Sequence, residues 1–148
     1  MYNLTKQGKV TRVSNAVVAG TTDINSSSID MQGFDAVTFY VCFGAITASA
    51  VTSVKAQQSS DDAAADAFAD LLGTGITVAD DDDNQVVALE VNEPRERYVR
   101  CVVDRGTANA VVDSIIAVQT RAGVEPVTHD STTVVGSEWH HAPAEGTA

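Results

Sequence analysis

Aromatic residues are scarce: one tryptophan, three tyrosines and four phenylalanines in 148 residues. The interior must therefore be filled mainly by Val, Ala, Ile and Leu. That filling favours strands, because β-branched side chains lose little extra χ1 freedom on a pleated surface and pack there against cross-strand neighbours. Basic residues are also few, nine against twenty acids, for a net charge of −11. Nucleic-acid binding draws on clustered Lys and Arg to release counterions, so no nucleic-acid partner is expected. Cysteine occurs only at Cys42 and Cys101, too few for a disulfide scaffold and without metal-ligand spacing. Both sit in apolar strand patterns, so two buried thiols are expected; a bridge would require their strands to be neighbours. No apolar run approaches the roughly 18 residues of a membrane helix, and Met1 to Lys6 lacks the apolar core of a signal peptide. The expectation is a chain made in the cytoplasm with no membrane partner.

A chain of this length fits one cooperative core. Residues 1–35 are polar and broken by Gly8, Gly20 and the cluster Asn25 to Ser28, which suggests an arm over residues 1–20 followed by short strands. From Phe34 to Ile46, Val37, Phe39, Val41 and Phe43 fall at every second position, so an extended backbone places them on one face. Thr38, Tyr40 and Cys42 take the other. Val51 to Ser59 continues with Val54 and Ala56 inward and Lys55 and Gln57 outward, and the small residues Ala48 to Ala50 between the two runs predict a hairpin.

Residues 60–70 are open to two readings. Alanine favours a helical turn with aspartate caps, but the stretch could equally be a loop presenting Phe68 and Leu71 to the core edge. Ile76 to Ala79 and Gln85 to Val91 read as a second hairpin around Asp80 to Asp83. Tyr98 to Val103 sends Val99, Cys101 and Val103 inward, Asp104 to Thr107 turns the chain, and Val111 to Thr120 is the last long strand. Strands at this spacing predict an all-β antiparallel sandwich or barrel over residues 21–123. From residue 124 to 148 no period is sustained, and Pro126, Gly136, Pro143 and Gly146 mark an extended C-terminal arm that orders on a neighbouring subunit.

Catalytic and metal chemistry finds little footing. His129, His140 and His141 all lie in the tail, without the rigid frame and supporting shell of a zinc site. Four consecutive aspartates lack the alternate spacing and central glycine of a calcium loop, so a solvated turn is expected. No carboxylate pair, rigid-core histidine or phosphate loop points to an enzyme. No cofactor, metal or catalytic residue is assigned. The candidate interface is Arg95, Arg97, Tyr98 and Arg100, since arginine beside tyrosine is enriched at interfaces; the alternative is that these arginines pair with the acid-rich hairpins of the same subunit. Trp139, with His140 beside it, is the candidate anchor for a partner's pocket.

The segments Asp30 to Phe39, Ser53 to Ser59, Arg95 to Arg100 and Pro126 to Asp130 resemble small virion proteins of tailed phages, the head decoration or cement proteins. The resemblance implies a jelly-roll-like sandwich or barrel, extended at both ends, on the outside of an assembled capsid. It implies the major capsid protein as partner, a homotrimer as the common assembly and the virion as location, and it carries over no catalytic residue. The alternative is a carbohydrate- or receptor-binding module of a phage head or tail appendage.

Overall fold

The strongest alternation in the sequence becomes one of the two longest strands. In the computed structural model, which describes residues 3–147, Phe34–Ile46 is continuous β structure with Val37, Phe39 and Val41 fully buried and Tyr40 exposed on the opposite face. Numbered in chain order, the elements are α1 (Leu4–Gln7), β1 (Lys9–Ser14), β2 (Val17–Gly20), β3 (Ile24–Asn25), β4 (Ile29–Asp30), β5 (Phe34–Ile46), β6 (Thr52–Ser59), β7 (Ala69–Asp70), β8 (Ile76–Val78), β9 (Val86–Asn92), β10 (Tyr98–Arg105) and β11 (Ala110–Ala122).

One sheet runs β1-β11-β5-β9, with β2 also on β11; the other runs β3-β10-β6-β7, with β4 also on β10 and β8 on β6. The pairs β1/β2, β3/β4 and β7/β8 each lie end to end along one neighbour. Counting each as one interrupted strand leaves eight strands in the jelly-roll order, two interleaved Greek keys. The sheets pack face to face as a sandwich and do not close into a barrel. Phe39, Val41, Leu89 and Ile115 from the first sheet meet Val54, Ala56, Val99, Cys101 and Val103 from the second in one continuous core. A fully buried Phe39 alone contributes about 2 to 3 kcal/mol from removal of apolar surface from water.

Both expected hairpins are corrected. β5 and β6 lie in different sheets, as do β8 and β9. Each of these strands has one apolar face, and crossing between sheets sets those faces against each other. The crossing is made possible by polar satisfaction outside a hairpin ladder. The N–H of Thr47 donates to Asn109 O at 2.8 Å and that of Val51 to Thr107 O at 3.0 Å, so the β5–β6 and β10–β11 connections bond to each other. The aspartate run adds to this: Asp80 accepts from the Ser49 N–H and Asp83 from the Ile46 N–H. The expected solvated turn is thus partly a set of caps, which hold Ser49 at a φ of 68°.

Residues 60–68 form a loop and not a helical turn, and the chain then enters β7. Asp62 and Ala63 sit at φ values of 59° and 65°, outside the right-handed helical region. Asp61 accepts from the N–H groups of Ala65 and Asp66, and the Ser59 hydroxyl from those of Asp61 and Ala63. Such side-chain acceptors compete with helix formation.

The expected N-terminal arm over residues 1–20 is also corrected: Lys9–Ser14 and Val17–Gly20 are strands on β11, and Val13 belongs to the core. The segment beyond Ala122 contains no strand among the described residues. Its first part lies back on the body, where Val127 N–H donates to Lys6 O at 2.8 Å and the His129 ring accepts from Val10 N–H at 3.1 Å and meets Thr5 O at 3.0 Å.

Candidate interaction site

The expected arginine patch is divided by the structure into three settings. β10 alternates, so Arg100 projects from the outer face of its sheet opposite Gln57. There its guanidinium covers the Phe68 ring at 4.2 Å and donates to Gln57 Oε1 at 2.8 Å. Phe68 comes from the loop before β7, so the acid-rich loop folds over this face and partly covers Arg100. Beside it Lys55 bridges Asp70 at 3.1 Å and Asp104 at 3.4 Å. The hydrogen bond to Asp70 raises the Lys55 pKa, and Gln57 and then Lys55 lower that of Asp70. This face is a neutralised network within one subunit.

Arg97 lies at one end of the sandwich, just before β10. It holds Asp30 of β4 through two bonds, Nε at 2.9 Å and Nη2 at 2.7 Å, and stacks on Tyr98 at 5.2 Å. The Arg97 bonds hold the Asp30 carboxyl below its ordinary value, and Asp30 raises the Arg97 pKa in return. The expected alternative, pairing with the acid-rich hairpins, does not describe Arg97, whose partner within the subunit is Asp30 of β4.

Arg95 is exposed and has no ion pair or hydrogen bond among the described residues. It lines, with Arg97, an open trough of about 540 Å³ whose apolar surface includes Met31, Phe34 and Pro94 and whose acids include Asp35 and Glu93. A second groove of about 340 Å³ lies beside it, shares Gln32 and Phe34, and is completed by Lys9 and the start of the tail at Gly123 to Thr128. The turn that brings Phe34 here depends on Gly33 at a φ of 86°, a conformation that costs glycine little, closed by Phe34 N–H donating to Met31 O at 2.9 Å. Tyr98 is half-buried between the two arginine settings.

Trp139 and His140 are not brought to this site. Trp139 is 42% exposed and meets His141 edge to face at 4.6 Å, while His140 Nε2 lies 2.7 Å from Glu138. No hydrogen bond joins residues 131–147 to the sandwich among the described residues.

Three residues of structural weight carried no sequence signal, Asp30, Gln119 and Arg105, while Phe68, expected at the core edge, lies against Arg100 instead. Gln119 is 1% exposed and donates to Asp30 O at 2.8 Å. Arg105 is 5% exposed, and its guanidinium donates to the carbonyls of Thr22, Val18 and Ala110 at 2.6, 2.9 and 2.7 Å. Gln119 and Arg105 depend on carbonyls that only the folded chain assembles.

Both cysteines are free, Cys101 buried and Cys42 partly so; their strands lie in opposite sheets. Burial pushes the Cys101 thiol up to about 12. Among the described residues no group of three or more His, Cys, Asp or Glu is placed to hold a metal ion, and no helix is long and apolar enough to cross a membrane.

Fold and site together define a jelly-roll sandwich with a trough at one end and an exposed C-terminal extension. No protein-family model matches the chain, and no curated protein matches it.

Proposed function

We propose that this protein is a structural component of a phage virion that binds the outer surface of the capsid and stabilises contacts between major capsid protein subunits. The observation that carries the reading is the contrast within one chain. A tightly packed sandwich is followed by an extension that, beyond Asp130, makes no hydrogen bond to it among the described residues and leaves Val135 fully exposed and Trp139 partly exposed. A large aromatic side chain on a loose segment gains most from a partner's pocket, and an arm that orders on contact adds avidity to a rigid body. Jelly rolls recur in capsid and lectin domains, which agrees with the reading as an analogy of fold only. A charge of −11 favours solubility at high copy number. A trimer seated where capsomers meet is the assembly proposed, with no enzymatic activity and no cofactor.

The test is binding of the purified chain to capsids assembled from a tailed-phage major capsid protein. Deletion of residues 131–148 and Trp139→Ala are each expected to weaken binding while leaving the sandwich folded; unchanged binding by both would overturn the reading.

A second reading, a carbohydrate- or receptor-binding module, is favoured by the trough, where the Phe34 ring and the unpaired Arg95 share one concave surface. Glycan-array binding lost on Phe34→Ala and Arg95→Ala would select it over the capsid role.

A further inference from the structure

A sandwich has exposed sheet edges, and each edge strand presents unpaired N–H and C=O groups that template further pairing unless they are blunted. Three of the four edges here are blunted. The second sheet ends in β3 and β4 on one side and β7 and β8 on the other, pieces of two or three residues. On the first sheet the β1 edge carries Lys9 and Arg12 and is capped by His129, which takes the Val10 N–H. The fourth edge, β9, has no such device. It is seven residues long, contains no proline, and carries one charge, Glu90.

The groups it offers can be specified. Phe43 N–H donates to Gln85 O and Glu93 N–H to Asp35 O, so with the Cys42–Val86 to Ala36–Asn92 register the odd-numbered residues of β9 face β5. Val86, Ala88, Glu90 and Asn92 then direct their backbone N–H and C=O outward, with no partner among the described residues. Their side chains point to the outer face, where Val86 is 57% and Tyr40 40% exposed.

The chain also contains a strand-forming segment without a sheet. Residues 131–137 bear no charge and include Thr132, Thr133, Val134 and Val135, β-branched types that fit a pleated surface. Val135 and Trp139, both exposed, fall on one side of an extended backbone. We propose that residues 134–139 of one copy add as a strand to the β9 edge of a second copy, with Val135 and Trp139 packing beside Val86 and Tyr40.

Geometry directs this pairing to a second copy. Val134 N–H donates to Asp130 O at 2.9 Å, so the turn returns the chain to the point where His129 holds it against β1. β1 and β9 are the opposite edges of a four-strand path, about 14 Å apart at three strand spacings. With the turn intact the segment begins at the edge opposite its own β9. Charge on both sides is low: residues 134–139 carry one acid, Glu138, and β9 carries one, Glu90. The contact is heterologous, tail of one copy to edge of the next, so it generates a closed ring or an open chain. Main-chain bonds supply the affinity and the alternate side chains the register, as in other strand-addition complexes.

Sedimentation of the full chain over a concentration series, with three variants, tests the assignment. Deletion of residues 131–148 removes the donor. Ala88→Pro removes an outward N–H without breaking the β5 ladder, as proline is accepted on edge strands; Val86→Lys charges the edge as a second means if the proline variant does not fold. The full chain is expected to self-associate, each variant to be monomeric, and a mixture of the tail-deleted chain with an edge variant to form a one-to-one complex through the intact tail and intact edge. A monomeric full chain, association unaffected by the deletion or by the folded edge variants, or a mixture that stays monomeric would each overturn it. The experiment contains no capsid, so its outcome is independent of the proposed virion role.

Discussion

Arg97 and Asp30 are 67 residues apart in sequence and meet through two parallel hydrogen bonds, joining the segment that opens β10 to β4 at the end of the sandwich where the trough lies. The hydrogen bond from Arg97 is the largest cause of the lowered Asp30 pKa. The sign follows. A carboxylate depressed below its ordinary value of 3.8 contributes stability that is fully present above that value and is lost as pH falls through the folded-state value. A double-mutant cycle with Arg97→Ala and Asp30→Asn, followed by urea unfolding, is expected to show favourable coupling near neutral pH that disappears in acid. Both side chains are over 40% exposed, so added salt should shrink the coupling. Coupling unchanged in acid would refute the assignment.

Arg105 is predicted to be the most costly polar side chain to remove. Its three guanidinium bonds tie the β2 segment and the following turn to the start of β11, and truncation leaves those carbonyls short of a donor in a site that side chain had filled. Arg105→Ala should destabilise the protein by about 3 kcal/mol, since a buried polar group stripped of its partner costs roughly 1 to 3 kcal/mol. Arg105→Lys should recover only part, because an ammonium cannot reproduce the planar fork. Urea denaturation midpoints of the two variants decide this.

The thiols should differ in reactivity. Thiolate is the nucleophile, and burial raises Cys101 to about 12, so native protein is expected to titrate with no more than one thiol, that of the partly accessible Cys42. Unfolding should release the second. Rapid modification of Cys101 in the native state, read by peptide mass, would contradict the core placement.

His129 fixes where the extension leaves the body. His129→Ala removes the acceptor for Val10 N–H, a contribution of about 1 kcal/mol, and should loosen the tail more than the sandwich. Limited proteolysis is expected to cut within residues 124–130 faster, with the melting of the sandwich nearly unchanged. A large loss of sandwich stability would mean that the tail is part of the core.

The sequence carried the strands and withheld their neighbours. Alternation at Val37, Phe39, Val41 and Phe43, or at Val87, Leu89 and Val91, is a local signal of period two and survives into the structure as buried and exposed faces. Whether β5 turns back on itself or crosses to the other sheet depends on acceptors at Thr107 and Asn109, which no local pattern reveals. The same holds for residues 60–68, where alanine is compatible with a helical turn and the acceptors Ser59 and Asp61 decide for a loop. The N-terminal strands were hidden by polar composition, since β1 and β2 contribute little to the core beyond Val13 and a partly buried Val17. In the candidate site, arginine and tyrosine were visible as residue types. Their division among Asp30, Phe68 and an unpaired position at Arg95 was not, because each partner comes from a distant segment.

The virion role is tested most directly by imaging particles. Cryo-imaging of capsids carrying this chain, compared with capsids lacking it, should show the sandwich as extra density on the outer surface over subunit contacts, with an extended segment running onto a neighbouring subunit. Particles that contain none of the chain by mass spectrometry, or that bind it equally well without residues 131–148, would contradict the account.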